Sequence, residues 1–277
     1  DFVPSRGLGD VYKRQKGDFD VFVSGSINYS YDFQSEPKKL LEASLNIYGN
    51  EQFDQTFVNA RVVDANIGPK FAVPLDFLNK PIVRPFIAGD YLIVSEDESY
   101  YSHGAGFSAD IRATERLNFN LDARVMAREN KDASILDGFR NRLTVNASYI
   151  ASDTMQIQLS SVVATEETKT NIQNNRDYSV NVTINKTFNA PFNLIKDPLS
   201  AGLSFGGSFR EYAGANPTID PDTTRNDYTL RFSPSLTIPA GETMAVLISA
   251  GFTRVDSNIP NSEYDNISLT IGISKQF

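Results

Sequence analysis

The sequence predicts an all-β protein, an antiparallel transmembrane β-barrel, on three observations. Apolar and polar residues alternate through about thirteen segments, each of roughly ten residues or more, the length a tilted membrane-spanning strand needs. One face of each segment is almost unbroken hydrocarbon, while the other is built from Ser, Gly, Asn, Thr and scattered charge. Short turns alternate with longer polar connections. A soluble sandwich could hide the apolar faces between two stacked sheets. Strands of globular sheets average only about 5–6 residues, however, and strand length with the alternating connections favours the barrel.

From Asp18 onward the segments follow in order. Residues 19–31 place Phe19, Val21, Val23, Ile27 and Tyr29 on one face and Ser24, Ser26, Asn28 and Ser30 on the other. The turn Ser35-Glu36-Pro37-Lys38-Lys39 leads to residues 41–48, with Leu41, Ala43, Leu45 and Ile47 outward. Residues 59–73 are less regular, setting Val63, Ala65, Ile67, Phe71 and Val73 against Asp64, Asn66, Gly68 and Lys70. Residues 82–94 oppose Val83, Ile87, Tyr91 and Ile93 to Arg84 and Asp90.

Residues 101–111 set Tyr101, Ala105, Phe107 and Ile111 against Gly104, Gly106, Ser108 and Asp110. In residues 117–127, Phe119, Leu121 and Val125 oppose Asn120, Asp122 and Arg124. In residues 139–149, Leu143, Val145 and Ala147 oppose Arg142, Thr144 and Asn146. Segments at 155–163 and 178–188 precede the two most regular ones, 199–209 and 228–238. Residues 244–252 lead to the last, 266–277, in which Ile267, Leu269, Ile271, Ile273 and Phe277 share the apolar face. This strand, with Leu269 at its centre, is the candidate barrel-insertion signal read by an assembly machinery.

The turns at 113–115, 151–153 and 239–242 are short. The connections at 129–138, 165–177, 211–227 and 256–265 are long, and 189–198 is a long connection on the side that should be short. Short periplasmic turns and long outer loops mark outer-membrane barrels. Such barrels have even strand counts, so thirteen segments lead us to expect fourteen strands in the intact protein, with twelve as the alternative.

Composition bounds the function. The chain has 277 residues, a net charge of −8 and no cysteine, which excludes disulfides and thiolate metal sites. The acidic balance argues against nucleic-acid partners. No window approaches the ~18 apolar residues of a spanning helix. Twelve Tyr and nineteen Phe without Trp suit interfacial girdles. The expected surroundings are outer-membrane lipid. Residues 1–15 show no alternation; the run S-R-G-L-G-D-V-Y-K-R-Q resembles adapter-derived sequence, so this lead-in is expected to be non-native, or otherwise disordered. The barrel domain is read as residues 16–277.

Catalytic chemistry finds little support, and we expect neither an enzyme nor a cofactor. His103, the single histidine, shares a face with Tyr101 and Ala105 and reads as an interfacial polar residue. No G-x-S-x-G, H-E-x-x-H or Walker pattern is present. Asp220, Asp222 and Asp227 lack calcium-loop spacing and read as solvated loop charge. The better candidates are the charges of the polar face: Arg84, Arg124, Arg142, Arg210 and Arg231 with Asp64, Asp90, Asp110 and Asp122. A single-sign ring would select ions, whereas mixed signs suit cross-strand pairing.

The ending Arg254-Val255-Asp256-Ser257-Asn258-Ile259-Pro260, then Tyr264-Asp265-Asn266 and Phe277, resembles the carboxyl end of surface lipoprotein assembly modifiers and related tetratricopeptide-repeat outer-membrane proteins. Ile67-Gly68-Pro69-Lys70-Phe71 followed by Arg84-Pro85-Phe86 looks like an early part of the same barrels. Lys275 departs from the apolar residue usual two places before the terminal Phe. The resemblance implies a translocator barrel that assists export or surface display of a secreted client such as a lipoprotein, and a helical repeat domain that does not appear in this sequence. A porin-like passive channel and a polysaccharide export pore are the alternatives.

Overall fold

The computed structural model describes residues 20–36, 39–52, 59–94, 98–131, 133–190, 197–241 and 243–275. The lead-in, Phe19 and the terminal Gln276 and Phe277 lie outside the described residues. Thirteen strands run in chain order: β1 (Asp20–Asp32), β2 (Lys39–Gln52), β3 (Ala60–Ala72), β4 (Ile82–Val94), β5 (Glu98–Arg112), β6 (Leu117–Asn130), β7 (Gly138–Ser152), β8 (Met155–Thr168), β9 (Asn175–Phe188), β10 (Leu199–Tyr212), β11 (Asn226–Pro239), β12 (Met244–Ser257) and β13 (Tyr264–Lys275). Each pairs antiparallel with its chain neighbours in one up-and-down sheet. The all-β reading and its alternating segments therefore stand.

The strands are 12 to 15 residues long, beyond what crossing the hydrocarbon requires. Their ends explain where the sequence misleads. The stretches 165–168 and 175–177 read as loop because they are polar, yet Ala164 faces Asp177, Thr165 faces Arg176 and Glu166 faces Asn175 in the ladder. Backbone hydrogen bonds continue the pairing where the apolar band stops. The connections at that end shrink to 131–137, 169–174, 213–225 and 258–263, while the end where β13 finishes carries 33–38, 73–81, 113–116, 153–154, 189–198 and 240–243. The expected asymmetry is thereby corrected: of the outer connections only 213–225 is long, and on the other side 73–81 joins 189–198 in exceeding most of the outer ones.

Turn chemistry closes the tight connections. Thr114 Oγ1 accepts from the amides of Arg116 and Leu117 at 3.2 and 2.9 Å. Gly241 adopts φ 104° between β11 and β12, a left-handed conformation that residues with a Cβ rarely take.

Register gives the sheet its curvature. A walk along the hydrogen-bonding direction goes from Ile27 through Leu45, Ala65, Gly89, His103, Ala127 and Phe139 to Glu167. It starts in the middle of β1 and reaches the far end of β8. A stagger that accumulates in one sense is what tilts the strands of a barrel. The two edges approach each other: a Cβ on Gly272 of β13 would lie 3.8 Å from the ring of Phe22 in β1.

Burial settles which side faces what. No large side chain is fully buried among the described residues, so neither face is packed into the dry core of a sandwich. Val63, Ile67, Ile87, Val125, Leu230 and Ile271 all lie exposed on the apolar face. Such a continuous exposed apolar surface needs lipid around it.

Candidate functional site

The inner wall carries every charge singled out from the sequence. Strand parity places Asp64 on β3, Arg84 and Asp90 on β4, Asp110 on β5, Asp122 and Arg124 on β6, Arg142 on β7, Arg210 on β10 and Arg231 on β11, all on the polar face. Most are engaged with neighbours. Arg124 meets Asp122 at 2.9 Å and Asp64 at 3.5 Å. Asp64 also accepts from Asn46 Nδ2 at 3.1 Å, Asp90 from Ser102 Oγ at 3.0 Å and Asp110 from Asn120 Nδ2 at 2.8 Å. Arg210 donates twice to one oxygen of Asp177, at 3.0 and 2.7 Å.

Arg84 is held from several sides, its side chain 14 % exposed. Its Nη2 donates to Asn66 Oδ1 at 2.5 Å and to the Glu42 carbonyl at 3.1 Å. Glu42 also takes Lys70 at 3.0 Å. Between Arg84 and Arg124 lies the ring of Phe86, 4 % exposed, with the two guanidinium carbons 5.1 and 5.2 Å from its centroid. A desolvated cation over an aromatic face gains on the order of 2 kcal/mol. Phe86 fits against the wall because its row neighbours are small: Gly106 pairs with it on β5, and on β3 a Cβ at Gly68 would lie 2.7 Å from its Cα and Cβ.

Sequence reading put Lys70 on the polar face without singling it out, and missed Glu42, Phe86, Arg128, Arg140, Glu166 and Asp177. Arg128 pairs with Glu166 and stacks on Tyr100 at 4.2 Å. Glu166 and Asp177 fell in stretches read as loop. Glu42, Arg128 and Arg140 carried a usable signal, since strand parity puts each on the polar face.

The wall is uneven in chemistry. β2 to β8 carry most of the charge, whereas the inner positions of β9 to β13 and β1 are largely Ser, Thr, Asn and Gly, as in Ser179, Asn181, Gly202, Ser204, Thr229 and Ser268. Arg142 and Arg231 stay exposed. Among the described residues, Arg142 reaches only Thr144 Oγ1, at 3.3 Å.

Other candidates are placed as follows. His103 is exposed on the apolar face and stacks on Tyr101 at 6.3 Å. Leu269 is among the most exposed outward residues, at 73 %. Asp227 is not a loop acid but an inner-face residue of β11, held by Arg225 at 2.7 Å, while Asp220 accepts the amide of Asp222. Asn258, in the carboxyl-terminal pattern, laces two outer connections: it accepts from the Asn226 amide at 2.7 Å and donates to the Thr224 carbonyl at 2.8 Å.

No protein-family profile and no curated protein matches the chain. Among solved structures it is similar to the in-vitro folded OmpT, an outer membrane protein of Vibrio cholerae: TM-score 0.48, 8 % identity, 95 % of this chain and 98 % of that one. A loop L8 deletion mutant of the same protein gives TM-score 0.43 and 10 % identity over 94 % and 99 % of the two chains. The expectation that the chain is not an enzyme is withdrawn. It rested on missing motifs, and that absence decides nothing. Loops and wall residues distant in sequence can assemble a site without a motif.

Strands long enough to cross a bilayer, an exposed apolar outer face and a polar inner face together make this a transmembrane β-barrel fold, and its place is the bacterial outer membrane.

Proposed function

We propose that the chain forms a water-filled channel that lets polar solutes cross the outer membrane. The observation that carries this reading is the exposure of the inner wall: Arg142 and Arg231 remain exposed within their strands, and no large inner side chain is fully buried among the described residues. An unneutralised guanidinium in a dry interior would cost several kcal/mol, so the wall needs water beside it. Reconstitution in planar bilayers tests this. Discrete ohmic steps are expected, and a sealed barrel rejects the reading.

A second reading, assistance in the export or surface display of a client such as a lipoprotein, has one specific observation in its favour. The β3–β4 ladder holds at Ile67↔Ile87 and resumes at Phe71↔Val83, but no pair forms between. That register sets Pro69 opposite Pro85, and proline has no N–H to donate. The break falls within the two stretches that carry the family resemblance and makes a weak seam in the wall. A Pro69→Cys, Pro85→Cys disulfide across it should abolish client display if the seam opens laterally; display that survives oxidation rejects the reading.

A further inference from the structure

We infer that Arg140 and Arg142 of β7 form an oxyanion-binding step on the channel wall, which makes the solutes preferred by the channel anionic, carrying carboxylate or phosphate groups. The inference rests on the channel reading for its transport consequence and on geometry for the site.

The two arginines occupy alternate positions on the inner face of one strand, so their Cα atoms stand about 7 Å apart along it. Both are exposed. Among the described residues, neither has a carboxylate within ion-pair distance, although the wall around them is rich in acids. The nearby acids are engaged elsewhere: Asp122 and Asp64 bind Arg124, and Glu166, the register partner of Arg140, binds Arg128.

Their other cross-strand neighbours add no acid. Arg142 stands directly opposite Arg124 on one side and Ala164 on the other. Like charges facing each other across strands are destabilising, and this pair is left with one guanidinium unneutralised. Arg140 faces Met126. A guanidinium presents a planar fork of donors that matches carboxylate or phosphate oxygens. Two such forks on one strand, open to the water of the channel, can pass an oxyanion from one to the next. The inner faces of β9 to β13 are mostly neutral hydroxyl and amide residues, with Arg210 paired to Asp177, Asp227 paired to Arg225, and Arg231 the exposed cation of β11.

The test uses the full chain refolded into planar bilayers under a KCl gradient. The reversal potential is expected to report chloride preference, and the Arg140→Gln, Arg142→Gln variant should shift the chloride-to-potassium permeability ratio several-fold toward potassium. Inorganic phosphate added to the bath should reduce wild-type conductance and leave the double variant unaffected. Arg254→Gln, on the outer face beside Phe252, should change neither reading. Unchanged selectivity and unchanged phosphate block in a conducting double variant overturn the inference. If the protein does not conduct at all, the channel reading falls, and calorimetric titration with inorganic phosphate decides the site alone: binding lost in the double variant supports it, and equal or absent binding overturns it. A heat-modifiable gel shift confirms that each variant is folded.

Discussion

The ring of Phe86 occupies the volume that a side chain at Gly106 would need: a Cβ built there lies 2.3 Å from Phe86 Cζ and 2.8 Å from the Ala123 carbonyl. Residue 106 is therefore glycine because residue 86 is an aromatic laid against the wall. Gly106→Ala is expected to destabilise the barrel by about 1–3 kcal/mol through overpacking. In a Phe86→Ala background the same substitution should cost clearly less, because the larger obstacle is gone. A double-mutant cycle on urea midpoints measures the difference. Additive effects would show that ring and glycine do not interact.

Gly68 poses a harder constraint. A Cβ there would meet the Pro85 carbonyl oxygen at 2.0 Å and Phe86 Cα at 2.7 Å, both backbone, which cannot rotate aside. Gly68→Ala should cost more than Gly106→Ala and impair assembly outright. Gly25, with nothing within 4 Å of its Cβ position, is the control, and Gly25→Ala should change stability by no more than about 0.5 kcal/mol. Folded yield in detergent, read by gel mobility, ranks the three variants.

Sidedness can be tested on one strand. Phe232 is exposed on the apolar face of β11, next to Arg231 on the polar face. A charge on the lipid face near the bilayer midplane costs about 2–4 kcal/mol. Phe232→Arg should therefore strongly reduce folding into vesicles, whereas Thr229→Arg, on the inner face beside a native arginine, should be tolerated. Equal penalties at the two positions would contradict the assignment of faces.

Those faces were legible in the sequence because period-two alternation carries them directly, as β10 and β11 show. The charged positions of the wall followed from the same parity. What one strand cannot reveal is what stands beside a residue on the next. Arg84 and Phe86 share a strand, but the stack of Phe86 between Arg84 and Arg124 depends on the register that sets Gly106 opposite Phe86 and Arg124 opposite Gly106. The strand ends were hidden for a different reason. Beyond the apolar band, pairing is held by backbone bonds, to which a polar stretch such as Thr165–Thr168 gives no compositional signature.

Arg210 and Arg231 look alike in sequence and differ in place. Arg210 makes two bonds to Asp177, whose side chain is 21 % exposed, so Arg210→Ala leaves a half-buried carboxylate unpaired. A loss of about 1–2 kcal/mol is expected after allowance for solvent screening. Arg231 has no such partner among the described residues, and Arg231→Ala should stay within about 0.5 kcal/mol. Chemical unfolding of the two variants under one buffer compares them. A larger loss at Arg231 would mean that it holds the fold and is not a bare wall charge.

The outer connection 131–137 has its own dependence on pH. Asp137 accepts the Asn130 amide at 2.8 Å and pairs with Lys169 at 2.8 Å. These bonds, the amide first, hold its carboxyl below the ordinary value of 3.8. Because the folded group is the stronger acid, its stabilising effect is complete above pH 3.8 and is lost as the pH falls through the lower folded value. The closure of this connection onto β6 should therefore persist at pH 5 and loosen only under more acidic conditions. Hydrogen exchange at the Asn130 amide follows it: protection should drop with acid in the wild type, and Asp137→Asn, which keeps an acceptor but cannot titrate, should flatten the profile. A wild-type amide that stays equally protected at pH 2 and pH 6 would show that Asp137 does not govern the connection.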